Sequence, residues 1–137
     1  MRDDKKYREL VCCRQELSVD HLVGVLTGLI ADVETGSTVS KAITGRRLKV
    51  VSLTLIRRLI ETVADRENAA LWTRWLVAGR PVDFASFDGS MRRLVVELAS
   101  FTRAVSALGD DFDLEDVGWR RVRTSFVEIL ALVGQQR

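Results

Sequence analysis

A single proline, Pro81, stands in 137 residues, and apolar side chains recur at three- and four-residue intervals along most of the chain. That combination narrows the fold more than any motif does. Strands need a period of two and turn chemistry every few residues, whereas long stretches free of Pro and Gly with a period near 3.6 pack as helices. The expected fold class is all-α: a compact bundle of about six to seven helices around a central buried helix, with no strand, internal repeat or low-complexity segment.

Between Tyr7 and about Val33, the positions Leu10, Val11, Leu17, Leu22, Val25, Leu26, Leu29, Ile30 and Val33 fit one or two helices, with Ser18 as a cap between them. The cluster Thr35-Gly36-Ser37-Thr38 marks a break. A second helix is expected from about Lys41 to Ala64, with Leu48, Val51, Leu55, Leu59 and Val63 on one stripe and Arg46, Arg47, Arg57 and Arg58 largely beside it. A third, Glu67 to Ala78, carries Leu71, Trp72, Trp75 and Leu76 and ends at Gly79 and Pro81. Val82 to Phe87 reads as a short fourth turn. From Met91 to Leu108 the chain is apolar almost all round, which puts that helix in the middle of the bundle. Gly109-Asp110-Asp111 stops it, and a last helix is expected from about Leu114 to Val133.

The length and a hydrophobic share of 47% suit one domain, residues 1–137, with a real core. Lys plus Arg number 21 against 19 Asp plus Glu, so no broad cationic field is expected, and nucleic-acid binding is a minor alternative. The longest apolar runs, such as Phe126 to Val133, fall far short of the roughly 20 residues that span a bilayer. With no leading signal-like segment, the expectation is a soluble protein. Cys12 and Cys13 are adjacent, diverge on a helix, and suit a reducing interior.

Chemistry is scarce. One histidine, His21, excludes a metal site built from two imidazoles of one chain, no serine has a nucleophile-elbow context, and the glycines form no phosphate cradle. The acidic pairs Asp3-Asp4, Asp110-Asp111 and Glu115-Asp116 read as solvated charge at helix ends. The chain is expected to be neither an enzyme nor dependent on a cofactor or metal.

Three stretches, in order, give a sharper reading. Arg8-Glu9-Leu10-Val11 with Glu16-Leu17-Ser18, then Asp88-Gly89 with Arg93-Leu94-Val95, then Gly118-Trp119 with Phe126-Val127-Glu128 resemble the fourth, first and second homology motifs of the Bcl-2 family of apoptosis regulators. Val50 to Leu55 is similar to the opening of the third. Where the family has Asn-Trp-Gly before its arginine, this chain has Ser90-Met91-Arg92, and Leu59-Ile60 stands where a death-promoting motif needs Gly-Asp.

The resemblance implies a surface groove that holds an amphipathic helix by anchors at i, i+3/i+4 and i+7, a recurring mode of helix recognition. It implies a ligand groove formed by Leu55, Leu59, Val63, Met91, Leu94, Val95 and Leu98, with Asp88, Gly89 and Arg93 from the first motif and Trp119 and Phe126 from the second. Arg93 would pair with the aspartate of the bound helix. The implied partners are pro-apoptotic Bcl-2 family proteins, with helices of the Bim, Bak or Bax type. The implied setting is the host cytoplasm or the mitochondrial periphery, since short, anchorless, divergent members are what large DNA viruses encode. Self-association through a Trp72 and Trp75 face is left open. The rival reading is a small helical assembly or RNA-binding subunit that uses Arg46, Arg47, Arg57 and Arg58.

Overall fold

The computed structural model describes residues 18–36 and 40–136, through which run five helices: α1 (Val19–Glu34), α2 (Lys41–Ile60), α3 (Arg66–Val77), α4 (Gly89–Ser106) and α5 (Val117–Gln135). The all-α expectation holds, and among the described residues there is no strand. The count is five there, not six to seven. The motif Arg8-Glu9-Leu10-Val11, the cysteines Cys12 and Cys13, and Glu16-Leu17 lie outside the described residues.

Four helices start at a side chain that accepts the hydrogen of a backbone N–H three residues on. Ser18 takes His21, Ser40 takes Ile43, Asp65 takes Asn68 and Asp88 takes Met91, at 2.8–3.1 Å. Each satisfies a donor that the first helical turn leaves unpaired. At the other ends, Gly36 (φ 71°) and Gly79 (φ 75°) adopt the left-handed backbone that follows α1 and α3.

Val82 to Phe87 holds a short hydrogen-bonded turn at its end and forms no helix. Asp83 accepts the N–H of Ala85 (2.9 Å) and Phe87 donates to the Phe84 carbonyl (3.0 Å), a local side-chain turn that competes with helix. The same turn brings Phe84 and Phe87 edge to face at 5.3 Å and sets Phe87 6.1 Å from Trp72.

Two helices share the middle. α2 packs against α1, α3 and α4, while α4 packs against α2, α3 and α5. Leu48, Val51, Leu55 and Ile56 of α2 and Leu94, Val95, Leu98 and Phe101 of α4 are fully buried, each worth about 1.5–3 kcal/mol of transfer energy. One polar link is sealed among them: Thr102 Oγ1 donates to Ser52 Oγ (2.9 Å), whose own hydroxyl donates to the Lys49 carbonyl (3.0 Å). Arg103 reaches from α4 to the end of α3, where its Nη1 donates to the Leu76 carbonyl (2.8 Å).

The expected central buried helix is therefore corrected as well. α4 is the hub, but it is amphipathic: Arg92, Arg93, Val96 and Arg103 remain exposed. Guanidinium heads hold to water while their stems lie along the protein, so a helix that carries three of them keeps an open side.

Candidate functional site

The open side of α4 faces α5, and a furrow of about 790 Å³ runs between them. Glu97, Ser100, Ala104 and Ala107 follow one another along α4 at intervals of three and four, and Val117, Arg121, Thr124, Ser125 and Glu128 answer along α5. On the α4 wall Ser100, Ala104 and Ala107 are small and leave the space between the helices unfilled. Gly118 also allows a close pass, since a Cβ there would stand 3.0 Å from Leu108 Cδ2.

The two ends differ in chemistry. At the far end Ala104, Ala107 and Val117 offer apolar surface among Arg103, Arg120 and Arg121, and Val117, at 66%, is the most exposed large hydrophobic among the described residues. At the near end Arg93 Nη2 stands 3.8 Å from Glu128 Oε1, an ion pair with both side chains about half or more in water. Within the furrow Ser125 Oγ donates to the Glu97 carboxylate (2.8 Å). Arg120 lies 4.0 Å from Glu115, while Arg121 makes no ion pair among the described residues. The lining cations Arg103, Arg120 and Arg121, with Arg93 at the end, outnumber the carboxylates Glu97 and Glu128.

The residues assigned to the groove by resemblance are distributed otherwise. Leu55, Leu59, Met91, Leu94, Val95, Leu98, Trp119 and Phe126 are all buried in the core, and Val63 is half-buried at its edge. Trp119 stacks on Phe112 at 5.3 Å with its Nε1 buried and without a hydrogen-bond partner among the described residues, and Phe126 lies 6.5 Å from Phe101. The reason is plain in the spacing: a stripe at i, i+3/i+4 and i+7 serves a core and a groove equally well.

Asp88 and Gly89 open α4. The Asp88 carboxyl accepts from the Met91 N–H and the Ser90 hydroxyl, and these bonds hold its pKa below the ordinary 3.8. Of the twelve positions, Arg93 alone reaches the furrow, and it does so through Glu128. Sequence reasoning quoted Glu128 only as part of a motif and passed over Ser100, Ala104 and Ala107. Their signal was a run of small residues at helical spacing in an otherwise bulky helix.

Trp72 and Trp75 are half-buried, and Arg80 lies over the Trp75 ring at 5.4 Å, so much of the expected self-association face is covered from within the chain. Among the described residues no three His, Cys, Asp or Glu side chains converge on a point, and no helix is long and apolar enough to cross a membrane. No known protein family, curated protein or solved structure matches this chain.

Proposed function

We propose that the chain is a binding protein that holds an amphipathic helix of another protein along the furrow between α4 and α5. The observation that carries this is a furrow whose far end sets Ala104, Ala107 and Val117 among Arg103, Arg120 and Arg121, with Arg93 beside Glu128 at the opposite end. From Glu97 to Ala107, the residue that caps α4, the furrow runs for about 15 Å, enough for some three turns of a bound helix. A partner's apolar side chains enter over Ala104, Ala107 and Val117. Its carboxylate reaches Arg93 in place of Glu128, whose present contact is a 3.8 Å surface pair that holds weakly.

The Bcl-2 resemblance supplies the identity of that helix. On this reading the partner is the death-motif helix of a pro-apoptotic Bcl-2 family protein, and the chain is an anti-apoptotic, virus-type survival factor. The support is the order of the motifs in the sequence, the all-α bundle, and the position of Arg93 at the mouth of a furrow. The resemblance-derived floor, now core, lends no support.

Titrating labelled death-motif peptides of the Bim, Bak and Bax type against the purified chain tests it. Binding to at least one is expected. Arg93→Glu, which leaves the fold intact by circular dichroism, should weaken it about tenfold or more, the scale of a charge-assisted contact. If no such peptide binds, the apoptotic reading is lost; if binding ignores Arg93→Glu, the furrow's near end is not the latch.

A further inference from the structure

The balanced net charge conceals a strong local segregation. α2 carries Lys41, Arg46, Arg47, Lys49, Arg57 and Arg58 and no acidic residue, while the stretch from Asp110 to Asp116 holds five carboxylates. Elsewhere in the fold arginines meet acids: Arg123 with Glu34 at 2.7 Å, Arg93 with Glu128, Arg120 with Glu115. On α2, Arg58 meets Glu61 at 3.6 Å and Lys41 donates to the Phe112 carbonyl (2.6 Å). Arg46, Lys49 and Arg57, with Arg74 of the adjoining α3, make no ion pair among the described residues.

Apolar side chains are set among those cations. Ile43 (38% exposed) and Val50 (39% exposed) lie on the outward side of α2, two helical turns apart, with Arg46 between them and Arg57 two turns beyond Val50. Beside Val50 a hollow of about 340 Å³ opens between α2 and α3, with Leu53 in its wall and Arg57 and Arg74 both lining it. A helix side that alternates cations with aliphatic side chains, and is not neutralised from within, matches the interface of an anionic bilayer. The aliphatic groups reach the level of the upper acyl chains while the cations meet lipid phosphates. Nucleic acid fits less well, because single strands are held by bases stacked on aromatic rings and none of these positions is aromatic.

We infer that this face, centred on Val50, Arg57 and Arg74, docks on an anionic membrane surface. The chain lies on the bilayer with α2 in the plane, and the α4–α5 furrow is not part of the contact. Asp110 lines the cleft that also holds Arg46 and Lys49, so the attraction is strongest toward the Arg57 end.

Sedimentation of the full chain with vesicles tests this, using phosphatidylcholine alone or with about a third phosphatidylserine. The chain should pellet with the anionic vesicles, stay in the supernatant with the neutral ones, and be released by high salt. Arg57→Gln should weaken the partition about fivefold and the Arg57→Gln/Arg74→Gln pair about 25-fold, while Arg92→Gln, the same change in charge on α4, should leave it within about twofold. Val50→Asp should weaken it too. Equal binding to both vesicle types, equal loss with Arg92→Gln, or tighter binding of an oligouridylate or an acidic peptide that displaces the chain from vesicles would each overturn the assignment. None of these outcomes bears on capture of a death-motif helix.

Discussion

α4 presents two unlike sides. Toward α2 it is dry, with Leu94, Leu98 and the Thr102–Ser52 hydrogen bond at no measurable exposure. Toward α5 it meets its neighbour deeply through Phe101 and Phe126 but stays open above, where Ser100, Ala104 and Ala107 are too small to close the gap. The same helix is thus sealed by large side chains on one side, while on the other small ones leave space unfilled. A surface available to a partner follows the small residues, not the most apolar ones.

That contrast can be broken at its dry side first. Leu94→Ala removes a fully buried side chain from the middle of the bundle and should cost about 2–5 kcal/mol in urea unfolding. A cost under about 1 kcal/mol would mean that the seam is looser than its burial says. Thr102→Val keeps the shape but leaves Ser52 Oγ without its donor, with an expected loss of about 1 kcal/mol. Ser100→Ala, on the furrow wall, should change stability far less than either.

A smaller effect separates the start of α4 from both sides. Asp88 has a folded pKa below its ordinary 3.8, so its ionised form stabilises α4 at pH values above 3.8. That contribution declines as pH falls through the lower folded value. Asp88→Ala should therefore differ from the parent at neutral pH and converge with it in strong acid; a constant difference in thermal midpoint across that range would show that the cap works without its charge.

Much of the architecture was legible in the sequence. Ser18 capping α1, the break after α1 near Gly36, the end of α3 at Gly79 and the stop after α4 all followed from local chemistry that tertiary packing does not override. A short turn before α4 was expected too, though not the Asp83 bond to the Ala85 N–H that helps fix it, which periodicity does not register. The site was less legible, since burial is decided by which helices meet. Leu55, Leu59, Leu94 and Leu98 carry the spacing expected of groove walls, yet they are core because α2 and α4 face each other directly. Arg93 was identifiable from its motif. Its neighbour Glu128 was not, because 35 positions of sequence separate the two and only the α4–α5 packing joins them.

Backbone amide shifts of isotope-labelled protein, recorded as a tightly binding death-motif peptide is added, test the central claim most directly. The account predicts that the largest changes fall on Arg93, Glu97, Ser100 and Ala104 of α4 and on Val117, Arg121, Ser125 and Glu128 of α5, with the Leu55–Leu59 stretch of α2 nearly still. Changes concentrated on Leu55, Leu59 and Val63, with the furrow residues unmoved, would contradict it and return the binding site to a groove that opens between α2 and α4.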